Sequence, residues 1–233
     1  MINKIKAELA TLGNPVKAAF LPRFFKACPG GYAEGDIFIG VTVPEIRTVA
    51  KKYKDLSLAQ IRKLLNSRVH EHRLTALLIL THIFLQSDED KRNEIVQFYL
   101  NNLQYVNNWD LVDLSADKIL GAYLIDKDKT ILYELCDSGH LWSQRVAIMS
   151  TFFFIRNSMF DDTFRLAKRL LYHKHDLIHK AVGWMLREIG KRDRRAEERF
   201  LKQYYRHMPR TMLRYAIEKF DPEKRLLYLK GLV

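Results

Sequence analysis

Apolar residues recur three and four positions apart through most of the chain, the spacing that gathers side chains on one face of an α-helix. Ile61, Leu64 and Leu65 form one such group, Leu74, Leu77, Leu78 and Phe84 another, and Ile95, Phe98 and Tyr99 a third. The opening stretch from Met1 to Leu12 reads as an amphipathic helix carrying Lys4, Lys6 and Glu8. Prolines stand only at positions 15, 22, 29, 44, 209 and 222, so the long middle has no helix breaker of that kind. Polar breaks such as Ser87-Asp-Glu-Asp90, Asp137-Ser-Gly139 and Lys191-Arg-Asp193 separate the helices. One segment is irregular, the glycine-rich Cys28-Pro-Gly-Gly-Tyr-Ala-Glu-Gly-Asp36. It lacks the flanking strand and the Lys-Ser/Thr pair of a phosphate-binding loop, so it reads as a turn.

The helices repeat. Four of them carry a cation followed by small and apolar positions: Arg73-Leu-Thr-Ala76, Arg145-Val-Ala-Ile148, Lys180-Ala-Val-Gly183 and Arg214-Tyr-Ala-Ile217. The cations are 72, 35 and 34 residues apart. The first gap is twice 36, which places a further unit at Trp109, where Asn108-Trp-Asp-Leu-Val-Asp-Leu114 suggests a helix start. A period near 35 with two helices per unit belongs to the tetratricopeptide, HEAT and armadillo class. The tetratricopeptide Trp/Gly/Tyr pattern is absent. The expected architecture is therefore all-α, a single domain over residues 1–233 of HEAT-like helical repeats stacked into a C-shaped α-solenoid with a basic concave face.

The register makes a map. Its first position holds Arg73, Trp109, Arg145, Lys180 and Arg214, and four residues later stand Leu77, Asp113, Met149, Trp184 and Glu218. Residues i and i+4 share a helix face. Trp109, Asp113, Arg145 and Trp184 are thus expected on one inner surface.

Charge changes the picture. The net formal charge is +12, and residues 156–233 hold 20 Lys/Arg against 10 Asp/Glu. Such an excess favours a polyanionic partner, nucleic acid or an anionic membrane surface, over a neutral one, although a solvated helical surface is also rich in Lys and Arg. Cys28 and Cys136 fit neither a disulfide framework nor a zinc site. With no signal-peptide core and no apolar stretch of membrane length, a cytoplasmic protein with no membrane partner and reduced thiols is expected.

Tryptophans on helices are commonly core residues, Asp113 could serve a neighbouring cation or a helix terminus, and Arg145 could bridge adjacent repeats. The alternative is chemical. Breaking an N-glycosidic bond builds positive charge on the sugar, which a fixed carboxylate stabilises while orienting water. Aromatic faces stabilise cations by about 0.5–2 kcal/mol each, and an arginine fork grips phosphate.

The segments Trp109-Asp-Leu-Val-Asp113, Leu141-Trp-Ser-Gln-Arg-Val-Ala147 and Lys180-Ala-Val-Gly-Trp-Met-Leu-Arg-Glu188 resemble the bacterial DNA alkylation repair enzymes with HEAT-like repeats, the AlkD-type alkylpurine DNA glycosylases. The stretch Tyr32-Ala-Glu-Gly-Asp-Ile-Phe-Ile-Gly-Val41, with Pro44 and Arg47, is similar to that family's N-terminal signature, and Met208-Pro-Arg-Thr-Met-Leu-Arg-Tyr-Ala216 to its ending. The resemblance implies Asp113 as catalytic carboxylate, Trp109 and Trp184 against the lesion's deoxyribose, and Arg145 on the nearby backbone. Removal of cationic N3- and N7-alkylpurines from duplex DNA, without base flipping and without metal or organic cofactor, is what it implies for activity. It further implies a monomeric, bacterial, nucleoid-associated protein. Phe24 stands where the family carries a tyrosine, keeping the aromatic face without the hydroxyl. Phe24, Arg73, Lys180, Arg187, Arg210 and Arg214 are the expected DNA contacts, alongside Arg145. A non-catalytic DNA-binding relative and a HEAT-type interaction scaffold are the alternatives.

Overall fold

The computed structural model describes residues 1–233. It contains fourteen α-helices, and its only β-type pairing is an isolated bridge between Ile37 and Val69. The all-helical expectation is borne out. The chain forms two compact units, Met1–Ser115 and Ala116–Val233.

The first unit is built on α5 (His70–Gln86), which is buried along most of its length. A helix apolar on nearly every side needs neighbours all round. Helices α1 (Ile2–Thr11), α3 (Val43–Lys52) and α4 (Leu58–Leu65) pack against it, as does α6 (Glu89–Leu100) on its C-terminal side in sequence. Start signals are explicit: Thr42 with Glu45 and Ser57 with Gln60 form capping boxes, and Asp88 accepts from the Lys91 amide. Helix α2 (Pro15–Phe24) differs, with no fully buried residue and with Val16, Phe20 and Phe24 exposed. The loop between α2 and α3 is irregular, as its glycines suggested. It is tied to α5 by Glu71, a buried carboxylate accepting the backbone N–H groups of Ile39 and Gly40. Gly40 has φ +82°, and a Cβ there would stand 2.2 Å from the Asn14 carbonyl. The unit ends in α7 (Trp109–Asp113), which begins where the register placed a helix.

The second unit opens on a π-helical turn, Asp117–Gly121. Six helices follow, α8 (Thr130–Asp137), α9 (Leu141–Arg156), α10 (Asp161–Arg169), α11 (Asp176–Gly190), α12 (Arg194–Tyr204) and α13 (Arg210–Ala216), with α8 packed on α9, α10 on both α9 and α11, and α12 on α11; α14 (Pro222–Lys230) closes the chain. Arg145 meets the Leu177 carbonyl, and seven residues later on each helix Phe152 meets Trp184. Equal offsets in one direction mean that α9 and α11 run parallel. Helices α11 and α13 repeat the arrangement through Gly183 against Met212 and Tyr215, and one turn on Arg187 pairs with Glu218 just past the end of α13. Parallel second helices at a near-constant offset of about 30 residues are the signature of a stacked helical repeat.

Candidate functional site

The first unit supplies one group of the expected site residues. Asn108 is fully buried, and its side chain accepts from the Trp109 amide, starting α7 at the indole. The Trp109 ring is half-buried. It stacks on Phe25 with centroids 5.4 Å apart and meets the exposed Phe24 edge-on at 5.8 Å. Phe24 in turn lies 6.1 Å from the exposed Phe20. Asp113, one turn after Trp109, is also part-exposed. A carboxylate thus shares a short helix with Trp109, whose ring continues into an aromatic wall with Phe24 and Phe20 of α2.

Beneath this wall lies a buried polar cluster. His70 stacks on Phe25 and Phe38 at 4.8 and 5.0 Å, and its Nε2 is 2.8 Å from Asp110 Oδ2. Its Nδ1 faces Asp36 Oδ2 at 3.6 Å, an ion-pair separation, and Asp36 also pairs with Arg73 at 2.5 Å. Burial opposes charge on His70, but the charge and hydrogen bond of Asp110, helped by Asp36, outweigh it and raise the imidazole to about 9. Burial likewise opposes charge on Asp36, yet His70 and Arg73 hold its carboxyl below the ordinary range.

Arg73, expected at the DNA surface, is instead turned inward. It is buried, with its guanidinium on Asp36 and on the Ser67 carbonyl. The repeat fixes its place along the helix, but a long side chain there reaches a buried carboxylate better than solvent.

The second unit supplies the rest. Arg145 is buried and donates to the Leu177 carbonyl at 2.5 Å, so part of its fork bridges neighbouring repeats. Trp184 is half-buried. Its indole N–H donates to Glu188 Oε1 at 3.2 Å, and Phe152 lies 6.0 Å from its ring. The Arg156 guanidinium sits 4.7 Å over Phe152. Glu188 is itself buried and also receives Lys191 at 2.6 Å. Arg187 pairs with Glu218 and is only 16% exposed, whereas Lys180, paired with Asp176 at 2.6 Å, is 38% exposed. Arg210 is exposed and donates to the Leu229 carbonyl, and Arg214 is exposed. The solvent-reachable cations of the expected set are therefore Lys180, Arg210 and Arg214. No group of three or more His, Cys, Asp or Glu side chains is placed to hold a metal ion, and no helix is long and apolar enough to cross a membrane.

Several residues escaped the sequence reading. Phe25, backed by His70, supports Trp109, and Glu188 and Phe152 flank Trp184, with Arg156 over Phe152. The i,i+4 spacing of Trp184 and Glu188 was a usable signal. The His70 cluster gave none, because its members are scattered between positions 36 and 110.

Compared with known proteins, residues 5–220 match the family described as DNA alkylation repair enzyme. No curated protein matches the chain. Among solved structures it is similar to a predicted DNA alkylation repair enzyme from Enterococcus faecalis, with a TM-score of 0.68 and 17% identity over 90% of this chain and 97% of that one. It is also similar to AlkD2 from Streptococcus mutans, with a TM-score of 0.58 and 19% identity over 88% of this chain and 97% of that one. At these identities the likeness establishes the helical-repeat fold.

Proposed function

This chain belongs to the DNA alkylation repair enzyme family, and from that premise we propose that it hydrolyses the N-glycosidic bond of cationic N3- and N7-alkylated purines in duplex DNA. The observation that carries the reading is a carboxylate, Asp113, one helical turn from an indole that is itself braced by two phenylalanines. An alkylated purine such as 7-methylguanine already bears a positive charge. Cleavage passes the bonding electron pair to the base, which leaves neutral, and the positive charge moves to the deoxyribose. Water then adds to C1′ and gives up a proton, leaving an abasic site. No general acid is required, because the leaving group needs no protonation. Asp113 stabilises the sugar cation and orients the water, and Trp109 lays an electron-rich face beside it.

Lys180, Arg210 and Arg214 hold the duplex by phosphate contacts, which position DNA without reading its sequence. A site with so few groups able to read a base edge suits recognition of the charged sugar without flipping the base. The missing hydroxyl at Phe24 favours a second reading, a relative that binds DNA without excising bases. Release of 7-methylguanine and 3-methyladenine from alkylated duplex DNA separates the two. Free base above the spontaneous rate is expected. Tight, salt-sensitive DNA binding with no release establishes the second reading instead.

A further inference from the structure

Asp36, His70, Arg73 and Asp110 have side chains less than 10% exposed, and together they form a chain of close charges. Two carboxylates and one guanidinium leave a net negative charge inside the protein, which is strongly unfavourable. Protonation of His70 makes the cluster neutral. The other cations nearby do not replace it: Lys17 is exposed and forms no ion pair with either aspartate, and Arg68 donates to the Gly35 carbonyl. Glu71 accepts the amides of Ile39 and Gly40, Lys17 of α2 lines the same cavity of about 180 Å3, and α3 faces it with the uncharged Val43 and Ile46.

Two routes lead from His70 to α7. The polar route runs through Asp110, whose Oδ2 lies 2.8 Å from His70 Nε2 while its Oδ1 accepts the Leu111 amide at 2.9 Å inside the first turn of α7. The aromatic route runs through Phe25, which stacks on the His70 ring at 4.8 Å and on the Trp109 ring at 5.4 Å. Both end on a helix of only five residues, too short to hold its own geometry. That helix ends at Asp113.

We propose that His70, charged and clamped between Asp110 and Asp36, is the positioning residue that fixes the Trp109–Asp113 turn for its role in excision. The inference rests on the glycosylase reading for its catalytic consequence, but its structural half stands apart from it. Loss of the proton returns the excess negative charge to the cluster, loosens Asp110 and with it the turn. A small displacement of a group that must face a developing charge costs rate much more than it costs DNA affinity.

The test has two arms on the full-length protein. In the first, NMR follows the His70 ring and the Trp109 indole N–H with pH, assigned through the His70→Gln and Trp109→Phe variants. His70 is expected to titrate near 9 instead of near 6.5, and the Trp109 signal to move with it. A His70 ring that is neutral at pH 7, or a Trp109 signal indifferent to its titration, overturns the proposal. In the second arm, single-turnover release of 7-methylguanine is compared between unmodified protein and His70→Gln. A fall of up to about 10²-fold is expected, with duplex affinity unchanged within about twofold. The unmodified rate should decline as pH approaches 9, and the variant should lack that decline. Equal rates and equal pH profiles overturn the catalytic half. If the unmodified protein itself releases no base, the glycosylase reading fails and takes the catalytic half with it, while the first arm still decides whether His70 fixes the turn.

Discussion

A positive charge shared between two buried carboxylates couples the stability of the first unit to pH. The His70 imidazole is held up to about 9 in the folded chain against an ordinary value of 6.5. Its contribution is fully present below about pH 6.5 and is lost as pH rises through about 9. The linkage amounts to about 3 kcal/mol. Urea unfolding at about pH 6 and about pH 9.5 checks it: the stability advantage of unmodified protein over His70→Phe should shrink by about that amount between the two. An advantage that is the same at both values contradicts the charged cluster. Arg145 offers a second test. Its donation to the Leu177 carbonyl joins α9 to α11, so Arg145→Ala should lower stability by about 1 kcal/mol or more through the lost bond and the lost packing of a buried side chain. The same substitution should weaken excision if the rest of the guanidinium serves a phosphate. A variant with unchanged melting temperature removes the bridging role.

Between elements, close approach is decided by small residues. A Cβ at Gly183 would lie 2.4 Å from the Met212 carbonyl and 2.6 Å from the Tyr215 Cβ, so α11 and α13 touch backbone to backbone there. Gly183→Ala should push the helices apart at a cost of about 1–3 kcal/mol, and it sits beside Trp184. A thermal melt is the measurement, and a neutral effect would mean that the helices slide freely. The element level was also the most legible. Helical spacing gave the helices, and the register of Arg73, Arg145, Lys180 and Arg214 anticipated both the start of α7 at Trp109 and the parallel second helices. The π-helical turn at Asp117–Gly121 was invisible, because over a single turn Ala116, Ile119 and Leu120 satisfy α- and π-helical spacing alike. Arg73 is expected at the DNA surface, and Arg145 either there or bridging repeats, because a sequence register gives only a position along a helix. It does not say whether a long side chain reaches solvent, a buried Asp36 or a neighbour's carbonyl. The His70 cluster was hidden for a related reason, since single charges far apart in sequence read as surface until folding buries them together.

Across the whole chain, the net charge of +12 is the property that bears most on DNA. Each phosphate neutralised releases counterions, so affinity for duplex DNA should fall steeply with salt and depend little on sequence. Arg214→Ala, which removes an exposed cation, should reduce the log–log salt slope by about one. A slope unchanged by the substitution removes Arg214 from the interface. Family membership and the all-helical repeat agree with what the sequence motifs implied, while the reaction itself rests on one carboxylate. Single-turnover release of 7-methylguanine by unmodified protein and by Asp113→Asn tests that claim most directly, since the amide keeps the shape and removes the charge. The account predicts a rate lower by about 10²–10³ in the variant, with duplex affinity equal or slightly higher and an unchanged melting temperature. Release by Asp113→Asn at the unmodified rate would contradict it.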